Sequence, residues 1–142
     1  MKNQFIVLLT SLLTSYLFTI TNSVANDWKY VGISGLSYGE YNLYVDIGKL
    51  EKHDNLVVMY ELHSFKFEQF APQGGYKSQT QKWEYDCKNM LLRALDKILF
   101  SEHMGKGSIV SKREAKTIDW IGINPGEALE AKWRVACELA KG

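Results

Sequence analysis

Two cysteines, Cys87 and Cys137, stand behind an N-terminal segment that reads as an export signal, and together they constrain the fold more than any other feature of the chain. Lys2 precedes the apolar run 5–20, and Ser23-Val24-Ala25 places small side chains where a signal peptidase cuts. Residues 1–25 are therefore expected to be a signal peptide and residues 26–142 the exported domain. An oxidising compartment favours pairing of the two thiols, and their spacing is neither that of a Cys-x-x-Cys redox motif nor that of a zinc knuckle. A structural disulfide between Cys87 and Cys137 is the expectation. In the chain-entropy account, closing so long a loop stabilises a small domain by roughly 4 kcal/mol.

Lys2 is the only charge in the signal segment, so the exported part holds one basic residue fewer than the 17 of the whole chain and balances its 16 acidic ones. A neutral domain of this size argues against nucleic-acid binding, which needs a basic excess to displace counterions from phosphates. After signal cleavage no remaining stretch is apolar enough for a transmembrane segment.

Hydropathy patterning points to a β-rich domain closed by one helix. Residues 40–47 alternate, with Tyr41, Leu43, Val45 and Ile47 on one face. Residues 79–87 alternate too, with Trp83, Tyr85 and Cys87 together and Lys82, Glu84 and Asp86 opposite. Residues 56–70 change phase, from Leu56, Val58, Tyr60 and Leu62 to Phe65 and Phe67, which predicts a bulge near His63-Ser64. Residues 71–75 read as an irregular hairpin loop, and 28–34, 108–111 and 117–123 as weaker strands. Residues 90–100 are ambiguous, because Leu91, Leu92, Leu95, Ile98 and Leu99 match a helical stripe. A helix is predicted over 125–140, with Asn124 as cap, Pro125 in the first turn and Glu127 as the capping acid. Leu129, Trp133, Ala136, Cys137 and Ala140 would form its buried stripe, so the disulfide would pin helix to sheet.

Trp28, the Tyr44-Val45-Asp46 strand, Glu84-Tyr85-Asp86-Cys87, Met104-Gly105-Lys106-Gly107, Trp120, Pro125-Gly126 and Cys137 occur in an order that resembles the surface-adhesin protein E family of Gram-negative bacteria. The resemblance spans nearly all of the exported part. It implies an α+β fold, an antiparallel sheet of about six strands with a C-terminal helix held to its concave face by the disulfide. It also makes residues 90–100 a strand. The implied function is non-catalytic recognition of a host extracellular-matrix or serum protein, with no cofactor. No cysteine follows the signal segment directly, so a lipid anchor is not expected, and a periplasmic or released product is as consistent as a surface one.

Sharper chemical readings are weaker. Gly35-Leu36-Ser37-Tyr38-Gly39 has the Gly-x-Ser-x-Gly pattern, but an alternating strand follows it where a nucleophile elbow needs a helix. Glu84 and Asp86 share a strand face, poorly placed to flank a scissile bond, with Lys82 as their expected charge partner. His53, His63 and His103 lack metal-ligand spacing and are expected to cap, hydrogen-bond or face water. Gly105-Lys106-Gly107 reads as a turn. Lys106, Lys112, Arg113 and Lys116 form a basic cluster interrupted by Glu114, the best candidate for a ligand contact surface in a neutral domain. The alternative to a binding module is a small periplasmic enzyme or enzyme inhibitor, which would require Ser37, Glu84, Asp86 and the histidines to converge. An uncovered edge strand pairing two copies into a homodimer is a further expectation.

Overall fold

Aromatic-rich alternating segments separated by Gly and Pro turns satisfy their backbone groups most simply by pairing with the next segment along the chain. The computed structural model follows that rule; it describes residues 26–35, 37–114 and 119–142. The expected signal peptide and Lys116 fall outside them. In chain order the strands are β1 (Trp28–Ser34), β2 (Tyr41–Asp46), β3 (Glu51–His53), β4 (Leu56–Ala71), β5 (Gly74–Asp86), β6 (Leu91–Phe100), β7 (Ile109–Glu114) and β8 (Ile121–Gly122), followed by helix α1 (Ala128–Leu139). One antiparallel sheet has the order β1-β2-β4-β5-β6-β7, with β3 paired to β4 and β8 to β6. The six strands of the main path match the expected sheet, and two short strands extend it.

Strands β4 and β5 form the central hairpin. Residues 71–75 are not an irregular loop: Ala71 pairs with Gly74 and Phe70 with Gly75, leaving a two-residue turn at Pro72-Gln73. Proline's fixed φ starts such a turn, and Gly74, at φ 139°, supplies a backbone angle that a side chain would strain. The expected bulge is present just past Ser64, where the β4–β5 register shifts before resuming at Gln69. The core face of β4 differs from the sequence reading. Its odd positions, Val57, Met59, Glu61, His63 and Phe65, are all buried; Met59 and Val57 join the core cluster that includes Ala136 and Cys137 of α1. The even positions Val58 and Leu62 are buried as well, so β4 is covered on both sides and its alternation carries little signal.

Residues 90–100 are strand, as the family resemblance implies and against their helical periodicity. β6 pairs with β5 from Leu91 to Phe100, and a bulge sets Ala94 and Asp96 opposite adjacent β5 residues, leaving Leu95 extra. That inserted residue shifts the phase of the apolar positions midway along the strand and imitates a 3.6-residue period.

The helix begins later than predicted. Gly126 has φ 86°, outside the helical region, and so the chain turns at Pro125-Gly126 before α1 starts at Ala128. Asn124 does not cap the helix; its Nδ2 donates to Glu127 Oε1 at 3.1 Å, while Glu130 Oε2 accepts from Gly126 N at 2.6 Å. An acidic side chain in the first turn then faces the positive end of the helix. Ala136 and Cys137 pack against Val45, Val57, Met59, Tyr85 and Leu92 of the sheet, with Leu129 and Trp133 alongside. The Cys87–Cys137 disulfide joins the end of β5 to α1, with Cα atoms 5.7 Å apart, and Trp133 Nε1 donates to the Asp86 carbonyl 3.0 Å away.

Candidate functional site

Beneath α1, the core face of the sheet carries charge where apolar contact would be expected. Glu61, on β4, is fully buried. Its Oε2 accepts from Lys132 Nζ of α1 at 2.7 Å and from His63 Nε2 at 3.0 Å, and its Oε1 accepts from the Tyr85 hydroxyl at 2.8 Å. Gln79 Nε2 lies 2.9 Å from His63 Nδ1. A donor amide at Nδ1 leaves the ring proton on Nε2, so His63 is a neutral donor to Glu61. Register explains the assembly: His63 pairs directly with Gln79 across β4–β5, and Glu61 lies two residues along the same face.

Both oxygens of Glu61 and both ring nitrogens of His63 are hydrogen-bonded within the chain. Burial raises the Glu61 pKa, but the His63 hydrogen bond and the Lys132 charge outweigh it and hold the carboxyl below its ordinary range. Burial, with the Lys132 and Lys97 charges added, depresses His63 despite the opposing pull of Glu61. Burial and the neighbouring Glu61 push the Tyr85 hydroxyl well up. The arrangement fastens helix to sheet, since Lys132 belongs to α1 while Glu61 and its other two partners, His63 and Tyr85, belong to β4 and β5.

Acidification should therefore loosen the domain. The unfolded chain protonates His63 below about pH 6.5 while the folded chain does not, so stability falls as pH drops from there. Glu61, with a folded pKa below its unfolded value near 4.5, contributes stability present above that value and lost as pH falls through the folded pKa. Urea titrations between pH 7.5 and 4 should show this decline, and H63Q should flatten its upper part. An H63Q profile parallel to wild type above pH 5 would contradict the assignment.

A cleft of about 400 Å³ opens beside this centre, between α1 and the β1–β2 side of the sheet. Leu43, Val45 and Met59 line its floor, Val31 and Ile33 one wall, and Leu129 and Val135 the helix side, with Glu61 and Lys132 at its edge. The lining is mostly apolar, with the polar centre at one side.

The residues singled out from the sequence do not meet there. Ser37 lies in the short 3-10 turn Ser37–Gly39 between β1 and β2. Glu84 pairs with Arg93 rather than Lys82, on the face of β5 opposite Tyr85, and Lys82 lies over the Tyr60 ring at 5.1 Å. The Asp86 carboxylate closes the β5–β6 turn by accepting from the backbone of Lys88 and Asn89, each at 2.9 Å. His53 is exposed on β3. His103, in the turn before β7, has Nδ1 3.4 Å from Ser64 Oγ. Of the three histidines only His63 reaches the polar centre. It is buried and bonded, not facing water.

The basic cluster is divided. Lys106 follows the 3-10 turn His103–Gly105, while Lys112 and Arg113, consecutive on β7, point to opposite faces. Lys112 is paired with Glu114 at 3.0 Å. Arg113 instead faces the α1 side, directly across from Lys97 of β6.

Glu61 and Lys132 escaped the sequence reading, although a signal for both was present. Lys132 stands three residues after Leu129 and four before Ala136, within the apolar stripe, and Glu61 shares its strand face with Val57 and Met59. A charge on each of two apolar faces that must meet is a complementary pair.

Comparison with known proteins bears on what such a domain does. The family model described as surface-adhesin protein E matches residues 28–138. Among solved structures, crystal form II of Haemophilus influenzae protein E aligns with a TM-score of 0.59 at 14% identity, covering 80% of this chain and 90% of that one. Another structure of Haemophilus influenzae protein E gives 0.58 at 15%, covering 80% and 87%. Protein E from non-typeable Haemophilus influenzae gives 0.54 at 16%, covering 78% and 84%. At such identities the likeness concerns the fold alone. No curated protein matches significantly in sequence.

Proposed function

Because the chain belongs to the surface-adhesin protein E family, we propose that it is an exported, non-catalytic binding module that recognises a host extracellular-matrix or serum protein at or beyond the cell envelope. The family match over residues 28–138 carries this reading, because it spans the whole folded domain rather than a fragment of it. Two features of the fold support it. The polar centre spends its hydrogen bonds on holding α1 to the sheet, and the surface offers exposed apolar side chains, Tyr30, Ile33, Phe70 and Ile109, each more than half exposed. In this reading residues 1–25 direct export and are removed. This reading assigns ligand contact within the basic cluster to Arg113, on the α1 side of β7.

The test is direct. Immobilised matrix and serum proteins, presented to the oxidised domain in a biosensor, should include at least one partner that binds saturably and is released intact. A uniform lack of saturable binding across the panel would refute the reading. Protease shaving of intact cells should degrade the protein if it meets such partners directly; complete protection, with all of it in the periplasm, would count against host contact.

A further inference from the structure

Lys97 and Arg113 form a cross-strand pair of like charges. They are register partners between β6 and β7, and both belong to the face that carries α1, since Lys97 also opposes Gln81, which lies on the Tyr85 and Gln79 side of β5. Directly opposed side chains on one sheet face have Cβ atoms about 5 Å apart, and like charges there repel. A folded protein normally relieves such a pair with a carboxylate. Here every Asp and Glu of the chain lies among the described residues, and none forms an ion pair with either cation. Lys97 is half-buried and its ammonium is depressed by burial and by Arg113, which adds to the case that no anion of the chain reaches it. By contrast Lys112, the neighbour on the other face, has Glu114. The cationic pair thus stands without a carboxylate on its own face, while the next register position, Asp96 opposite Glu114, sets two carboxylates on the other face, where Lys112 pairs with Glu114.

That spot borders a free strand edge. β7 ends the strand order, so among the described residues its outer backbone edge has no partner. A row of unsatisfied N–H and C=O groups there fits an extended peptide backbone, and Ile109 on the same strand is 60% exposed. A sulfated glycan would satisfy the charges but not the backbone edge.

We propose that Lys97 and Arg113, with the outer edge of β7, form the docking site for an acidic extended segment of a protein ligand, which adds as a further strand and sets a carboxylate beside the two cations. This rests on the reading of the protein as a protein-binding module and names the chemistry of its partner. The ligand's carboxylate removes the repulsion that the free domain carries, so the same two residues weaken the free fold and strengthen the complex.

The experiment uses the oxidised domain and a labelled peptide alternating Glu with Val, followed by fluorescence anisotropy, beside the same peptide with Gln for Glu. The acidic peptide should bind about tenfold or more tightly than its Gln counterpart, weaken as salt rises, and lose about tenfold or more in affinity for the K97Q/R113Q variant. Thermal unfolding of that variant should show no loss of stability. Equal binding of the two peptides, unchanged affinity of the variant, or binding of a sulfated oligosaccharide in place of the acidic peptide would each overturn the site. The variant is also presented to the matrix and serum panel. If the wild type binds a partner there and K97Q/R113Q binds it equally, the site falls while the binding function stands; acidic-peptide binding lost in the variant, with no partner in the panel, leaves the site and removes the host-protein reading.

Discussion

Replacing both cysteines, C87S/C137S, should lower the free energy of unfolding by about 4 kcal/mol. The bond ties residues separated by 50 positions, so its loss restores to the unfolded chain the freedom of a long loop. A domain of this size has of order 5–15 kcal/mol of stability, and so the variant stands near the edge of folding. The native state suffers little direct strain from the change, because Ala136 and Trp133 still pack on Met59 and Tyr85. Urea unfolding of the variant and of the wild type under reducing conditions should give coinciding, lowered midpoints. A variant that keeps the midpoint of the oxidised wild type would contradict the disulfide's role.

Removing the buried carboxylate should cost about as much. E61L leaves the Lys132 ammonium, His63 and the Tyr85 hydroxyl without their shared acceptor in a buried site, a loss of about 3–5 kcal/mol. K132M should be similarly harmful, because it strands the Glu61 charge. The double replacement E61L/K132M should be milder than the sum of the single effects, since a packed apolar pair incurs no desolvation cost for ions. Denaturant titration of the four proteins under oxidising conditions completes the cycle. Additive losses would mean that the pair does not act as a unit.

How far the sequence announced this molecule depends on whether an element has one covered face or two. β2 reads well because Leu43 and Val45 are buried while Asn42 is exposed, and the sulfurs of Cys87 and Cys137 fall where strand and helix periodicity place them. β4 reads poorly because neighbours cover both sides, and in β6 the bulge at Leu95 turned a strand into an apparent helix. The start of α1 was misplaced because Pro125 signals both a first helical turn and a β-turn, and the left-handed Gly126 decides for the latter. The site was harder to see than the fold. Lys112 and Arg113 look like one patch in the sequence, yet the two-residue repeat of a strand separates them, and the true neighbour of Arg113 is Lys97, reachable only through the β6–β7 register. The polar centre depended likewise on long-range pairing of residues 61, 63, 79, 85 and 132.

The position of the covalent link has a mechanical corollary. If the domain is held by one terminus and pulled by the other, tension entering at β1 passes along the chain to Cys87 and crosses there to Cys137, leaving the intervening segment off the load path. β6 and β7 belong to that shielded segment, whose extended length, about 170 Å at the usual reach per residue, cannot be paid out while the sulfurs remain joined. Under tension applied between the termini, β6 and β7 would thus keep their pairing while β1 and β2 peel first.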